Sequence, residues 1–139
     1  MKIEGGCLCG AIRFKAPTRP LMIRHCHCIM CRKASGAAFM TGLMYRSEDV
    51  RWSGSMKCYE SSPGILRYFC VTCGGTLAFR EGEAPEKDCV QLGCFDDPTQ
   101  IQIDGNVDHI FAERELGWLH LNDGFPRHAT LSGGLYKIE

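Results

Sequence analysis

The chain has 139 residues, with 16 basic and 16 acidic side chains and ten cysteines. This length fits one domain, residues 1–139, with a core of its own. The balanced charge disfavours a surface that binds nucleic acid or an anionic membrane. No stretch approaches the roughly 20 apolar residues that cross a bilayer, and the N-terminus lacks the apolar run of a signal peptide. We therefore expect a cytoplasmic protein whose reduced thiols can bind metal.

The chain begins with a predicted hairpin, formed by residues 3–6 and 11–15, whose turn carries Cys7 and Cys9. On a flat strand, side chains two residues apart are separated by about 7 Å, too far for two sulfurs that each lie about 2.3 Å from one ion. A metal-binding Cys-x-Cys pair therefore needs a tight turn. Gly5, Gly6 and Gly10 flank this one and make such a turn accessible.

A loop and a short apolar strand at 21–23 lead to the densest group of metal-binding side chains. Three cysteines and two histidines fall within seven positions: His25, Cys26, His27, Cys28 and Cys31. Arg32 and Lys33 follow, at the predicted start of a short helix over 32–39. The N-terminus of a helix favours anions, so these two cations are candidates for binding the carboxylates of a substrate.

Short strand-like runs dominate the rest of the chain, at 40–45, 50–52, 57–60, 65–69, 75–80 and 89–95. Turn residues at 61–64, 81–87 and 96–98 separate them. Such regular spacing with little helix predicts a mainly β domain. In the last third, six residues are candidates for a pocket wall or proton relay, with a structural role as the alternative: Asp108, His109, Trp118, His120, Asp123 and His128.

The spacing of the cysteines divides most of them into two sets. Cys7/Cys9 and Cys70/Cys73 supply two thiolates each, and together they can make a closed tetrahedral zinc site that stabilises the fold. Cys26, Cys28 and Cys31 form a three-ligand set that leaves one coordination position open, as in a reactive zinc site.

Several side chains could close that fourth position. The candidates are His25, His27 and the single cysteines Cys58, Cys89 and Cys94. A histidine beside a zinc ligand more often supports the ligands through hydrogen bonds. Cys89 and Cys94 lie in an apolar run and are more typical of a packed core.

Four motifs resemble the glutathione-dependent formaldehyde-activating enzyme family, which includes centromere protein V: GGCLCG at 5–10, HCHCIMCRKASG at 25–36, RYFCVTCG at 67–74 and GCFDDP at 93–98. The resemblance implies a β-tent-like zinc-binding fold with two zinc ions per chain. It places a structural ion on Cys7, Cys9, Cys70 and Cys73 and a catalytic ion on Cys26, Cys28 and Cys31. The activity it implies is that of a carbon-sulfur lyase, combining glutathione with formaldehyde to give S-hydroxymethylglutathione.

The donor set favours thiol chemistry at the second ion. Zinc held by three thiolates carries net negative charge and activates water poorly, whereas a substrate thiolate suits the soft site. Arg24, Arg32 or Lys33 would pair with the carboxylates of glutathione, and His25 or His27 would move the proton. The expected partners are a small thiol and a small aldehyde. The alternative is a zinc-stabilised protein-binding module without catalytic activity.

Overall fold

The computed structural model describes residues 1–131, which form two β-sheets and one α-helix, so the predicted mainly β fold is confirmed. The elements are β1 (Lys2–Gly6), β2 (Arg13–Pro17), β3 (Met22–Cys26), α1 (Ile29–Ser35), β4 (Met40–Arg46), β5 (Arg51–Ser53), β6 (Met56–Ser62), β7 (Ile65–Cys70), β8 (Thr76–Glu81), β9 (Ala84–Gln91) and β10 (Val107–Ile110). The small sheet has the order β1-β2-β5, and the large sheet has the order β10-β3-β4-β9-β8-β7-β6. Within the described residues, no helix is long and apolar enough to span a bilayer.

The predicted N-terminal hairpin is present. β1 pairs antiparallel with β2, so that Gly5 lies opposite Phe14. Buried and exposed residues alternate along both strands, as expected for a sheet with one face on the core. Phe14 is buried and packs edge-on against Phe95, which follows β9. The small sheet is therefore joined to the large one through apolar side chains.

Apolar side chains pack against both faces of the large sheet at its central strands, β4 and β9. On β4, Leu43 and Tyr45 belong to one apolar cluster, whereas the intervening Met44 belongs to a second one. On the neighbouring β9, Val90 and Cys89 divide between the same two clusters. Since successive side chains on a strand point to opposite faces, the two clusters lie on opposite sides of the sheet.

The helix begins earlier than predicted. The Cys28 Sγ accepts a hydrogen bond from the Cys31 amide, at 3.3 Å, and this cap starts α1 at Ile29. Gly36, with φ of 71°, ends it. Arg32 and Lys33 therefore lie in the last turn, and the prediction that they sit at a helix N-terminus is wrong.

Two segments of the strand pattern also differ from prediction. β9 starts at Ala84, inside the stretch expected to be a turn, and gives way at Leu92–Cys94 to a 3-10 helix. β10 was not predicted, because all four of its residues are buried and no alternation marks it. Its polar member Asp108 is satisfied by Arg24, which donates two hydrogen bonds of 2.9 and 2.8 Å.

Candidate metal centres

Cys7, Cys9, Cys70 and Cys73 come together as their spacing predicted. All four sulfurs lie within 4.8 Å of one another. Cys7 and Cys9 occupy the turn between β1 and β2, and the Cys7 Sγ lies 3.6 Å from the Cys9 Sγ. The Cys9 Sγ lies 3.8 Å from the Cys70 Sγ, across 61 residues of sequence. Two distant hairpin turns thus converge on a single point.

Each of these turns depends on a residue with positive φ. Gly10, at φ 80°, follows Cys9, and its amide donates to the Cys7 carbonyl at 3.1 Å. Gly74, at φ 74°, follows Cys73, and its amide donates to the Cys70 carbonyl at 2.8 Å. Other side chains are strained in this backbone conformation, so glycine at these positions lets both turns be tight enough for their sulfurs to meet.

The thiols of this four-cysteine cluster are strongly coupled. Burial raises the pKa of Cys7, but the hydrogen bond from the Ile12 amide and the neighbouring thiols outweigh it and lower the pKa to about 6. The Ala11 amide lowers the pKa of Cys9, but contact with Cys7, followed by burial, outweighs it and raises the pKa to about 11. One ionised thiol thus keeps its neighbour protonated. Four thiolates this close together repel one another, and a bound cation such as Zn²⁺ would stabilise them.

Cys26, Cys28 and Cys31 form a second cluster, at the junction of β3 and α1. Their sulfurs lie within 4.8 Å of one another. Cys26 ends β3 and is buried, Cys28 is the N-cap of α1 and is partly exposed, and Cys31 lies buried in the first turn. Among residues 1–131, no fourth cysteine, histidine or carboxylate joins this group within that distance. Of the three residues, Cys28 is the most exposed.

Ionisation in the three-cysteine cluster is concentrated on Cys28. Hydrogen bonds from the Cys26 and Cys31 thiols lower the pKa of Cys28 to about 2. The same contact with Cys28, followed by that with Cys31, raises the pKa of Cys26. As in the first cluster, the arrangement holds one thiolate readily and needs a bound cation to hold three.

Arg67 is a neighbour of this cluster that sequence reasoning missed. Its guanidinium is buried, with Nη2 3.7 Å from the Cys31 Sγ and Nη1 3.9 Å from the Met40 Sδ. Nε donates to the Ser61 Oγ at 2.8 Å and fixes the orientation of the group. The positive charge lowers the pKa of Cys28, after the larger effect of the other two thiols. An arginine in β7 gives no sequence signal of this contact, because only the tertiary fold brings β7 to α1.

The two predicted histidines do not join the three-cysteine cluster. The His25 Nδ1 lies 2.7 Å from the Thr41 Oγ1, and the His27 Nε2 lies 2.8 Å from the His109 Nδ1. Burial, followed by the neighbouring His109, lowers the pKa of His25 to about 4 and also lowers that of His27. Both rings are therefore neutral near pH 7. Their assignment to proton transfer stays a prediction.

The three cationic side chains that were predicted to bind substrate carboxylates lie in different environments. Arg24 is buried in its ion pair with Asp108, which disfavours a contact with substrate, and its carboxylate-binding role stays a prediction. Lys33 is exposed and lines a groove of about 950 Å³ between the end of α1, the Cys7 turn and the end of β9. Arg32 lies in the same helical turn and is partly buried. The three-cysteine sulfurs do not line this groove, but Met40, the neighbour of Arg67, does.

The remaining candidate residues differ in burial and in position. Cys89 and Cys94 are buried, and burial raises the pKa of Cys94 to about 12, which agrees with a core role. Cys58 is exposed on β6. Trp118 and His120 are exposed and lie outside both cysteine clusters.

The other candidates of the last third form polar contacts. The His109 Nε2 lies 2.7 Å from the Asp123 Oδ2. The His128 Nε2 lies 3.6 Å from the Asp108 Oδ2.

The comparisons with known proteins agree with this architecture. A family model described as glutathione-dependent formaldehyde-activating enzyme matches residues 2–114. A Schizosaccharomyces pombe protein named as an uncharacterized lyase is 36% identical over 104 residues, which cover 75% of this chain and 76% of that protein. A Halomonas elongata protein named for the same family is 31% identical over 96 residues, covering 62% of this chain and 60% of that protein.

A solved structure supports the fold. The crystal structure of a Rhodobacter sphaeroides protein superposes with a TM-score of 0.57 and 23% identity, covering 73% of this chain and 96% of that one. At this identity the likeness concerns the fold alone.

Proposed function

The chain belongs to the glutathione-dependent formaldehyde-activating enzyme family, and from that premise we propose that it is a zinc-dependent carbon-sulfur lyase acting on a thiol and a small aldehyde. Glutathione and formaldehyde are the substrate pair that the family's name supports. In the synthetic direction, the thiol sulfur bonds to the carbonyl carbon, the carbonyl π electrons move to oxygen, and the thiol proton ends on that oxygen. Breakdown of the adduct reverses each step.

The observation that carries the proposal is the three-cysteine cluster without a fourth protein ligand among residues 1–131. A structural zinc site closes all four positions with protein ligands, whereas a catalytic site keeps one for water or substrate. Cys28, the partly exposed member, leaves the cluster accessible from outside. The four-cysteine cluster has the complete donor set of a structural ion. This contrast supports one structural and one catalytic zinc.

Cys26, Cys28 and Cys31 would hold the zinc ion, which would supply a soft Lewis acid that favours the thiolate form of the substrate thiol. Arg67 favours this arrangement. The three cysteine thiolates and a substrate thiolate would together exceed the charge of Zn²⁺, and the guanidinium 3.7 Å from the Cys31 Sγ would offset part of the excess negative charge. Because Arg67 is buried, its effect is weakly screened by water.

The groove beside α1 supports a peptide-like thiol as substrate. Its volume of about 950 Å³ lies at the upper end of the range for small-molecule sites, roughly 300–1,000 Å³. Lys33 on its wall can pair with a carboxylate. Gln91, also on the wall, has its Nε2 3.1 Å from the Met40 Sδ, and Met40 contacts Arg67. One continuous set of contacts therefore connects the groove to the three-cysteine cluster.

The proposal is tested by measuring adduct formation and breakdown with zinc-loaded protein, glutathione and formaldehyde. The uncatalysed reaction is subtracted. We expect acceleration that disappears in Cys28→Ser and persists in Cys58→Ser, because Cys58 is an exposed cysteine on β6 outside both clusters. No acceleration with any small thiol and aldehyde pair would contradict catalysis and favour the protein-binding module. Equal loss in both variants would contradict the assignment of the open site.

A further inference from the structure

A third group of metal-binding side chains lies outside both cysteine clusters. His25, His109 and Asp123 each present one ligand atom, and these atoms lie within 4.8 Å of one another. His25 on β3 and His109 on β10 are direct partners in the parallel strand pair. Asp123 comes from the following loop, which is held to β10 by backbone hydrogen bonds of 2.8 Å between His109 and both Pro126 and His128.

Each imidazole in this group has a hydrogen-bond partner at Nδ1 outside the group, and such a contact at the other nitrogen is usual for metal-binding histidines. The His25 Nδ1 lies 2.7 Å from the Thr41 Oγ1, which leaves Nε2 for another partner. The His109 Nδ1 lies 2.8 Å from the His27 Nε2, and its Nε2 faces Asp123. The ring centroids of His25 and His109 are 4.6 Å apart, with 33° between the ring planes.

We propose that His25, His109 and Asp123 form a third metal site, which binds a divalent first-row transition ion such as Zn²⁺, Co²⁺ or Ni²⁺. Two imidazoles and a carboxylate are a donor set that suits these borderline ions and leaves coordination positions for water. With the ion on Nε2 of each ring, the Nδ1 protons of His25 and His109 are donated to Thr41 and His27. No buried polar atom of the two metal-binding rings then lacks a partner.

The geometry needs only a small adjustment to accept the ion. Ligand atoms about 2.0–2.2 Å from a metal stand roughly 3–3.5 Å apart, so the 2.7 Å contact between His109 and Asp123 must open by less than about 1 Å. Asp123 can make this movement because its side chain is 30% exposed and lies in a loop. His109 is fully buried and fixed on β10. The ion therefore enters from the Asp123 side, and the ligand atom of His25, which lies within 4.8 Å of the other two, closes on it.

The experiment uses the protein with zinc already in its cysteine sites and Ni²⁺ as the added ion. Ni²⁺ binding is measured by calorimetry, while a chromogenic indicator records any zinc released by exchange. We expect one Ni²⁺ per chain bound without zinc release, and at least tenfold weaker binding in Asp123→Asn, because a neutral amide replaces the carboxylate. Asp97→Asn is the matched control, since Asp97 is also an exposed, hydrogen-bonded aspartate but lies outside the group.

A second measurement guards against misfolding of the variant. Thermal unfolding is followed with and without Ni²⁺, and the ion should raise the midpoint of the native protein and of Asp97→Asn but not of Asp123→Asn. The proposal is overturned if bound Ni²⁺ equals released zinc, if no additional ion binds at submillimolar concentrations, or if Asp123→Asn binds as well as the native protein. Any of these results identifies the group as a metal-free hydrogen-bonded cluster. The readout is independent of lyase activity.

Discussion

The two cysteine clusters use one ligand type but are assembled in different ways. The four-cysteine cluster joins two hairpin turns that are far apart in sequence, and its buried members Cys7 and Cys70 belong to the apolar cluster around Leu43 and Tyr45. The three-cysteine cluster comes from one continuous segment and packs with Met44 on the opposite face of the large sheet. Convergence of distant turns supplies four sulfurs, enough to close a tetrahedral metal site, whereas a local turn presents three sulfurs.

The clusters also differ in their charged surroundings. Arg67 lies against the three-cysteine cluster as a buried cation. A substrate thiolate bound at this site would add negative charge to it. A fixed guanidinium nearby would lower the electrostatic repulsion between the thiolates. The proposed function predicts that the first cluster determines stability and the second determines activity, and variants can test this division one cluster at a time.

The largest effect is expected from Cys70→Ser. Cys70 is buried, and its loss removes a ligand that connects the two hairpin turns. Metal binding by a structural zinc site contributes roughly 10–16 kcal/mol in small zinc domains, comparable with the whole stability of a domain. We expect a largely unfolded protein by circular dichroism. A native-like melting curve would show that this cluster is dispensable for folding.

Cys28→Ser should abolish activity while the fold is retained. Cys28 is the N-cap of α1 and is partly exposed, so its replacement disturbs little packing. We expect zinc to fall from two ions to one per chain by metal analysis, with turnover at the background rate. If this variant unfolds as Cys70→Ser does, the functional difference between the clusters is wrong.

Arg67→Met should weaken the second cluster selectively. The substitution keeps much of the apolar volume but removes the charge 3.7 Å from the Cys31 Sγ. Loss of such a supporting contact typically lowers metal affinity or activity by about 10–100-fold. Competition with a chelator should release one zinc per chain earlier than in the native protein and leave the other unchanged. Arg67→Lys, which keeps the charge, should recover part of the affinity.

Lys33→Ala should have the smallest effect. Lys33 is exposed on the groove wall, and an exposed ion pair contributes up to about 1 kcal/mol. We expect an increase of about fivefold in KM for glutathione, with kcat and zinc content unchanged. A substrate thiol without carboxylates should show no difference between the variant and the native protein. An equal loss for both thiols would argue against a contact with the carboxylate.

The sequence by itself determined the ligand types, their division into two clusters, the mainly β fold and the family. The signals for these features are local, because each cysteine spacing and each glycine turn acts within a few residues. Only the tertiary structure decided that Arg67 contacts Cys31, that Arg24 forms an ion pair with Asp108, and that His25 lies opposite His109. The pairing of β3 with β10 joins residues that are distant in sequence, and a shift of one position in register would replace the contacts of Arg24 with Asp108 and of His25 with His109. The contact of Arg67 with Cys31 depends instead on how β7 lies against α1.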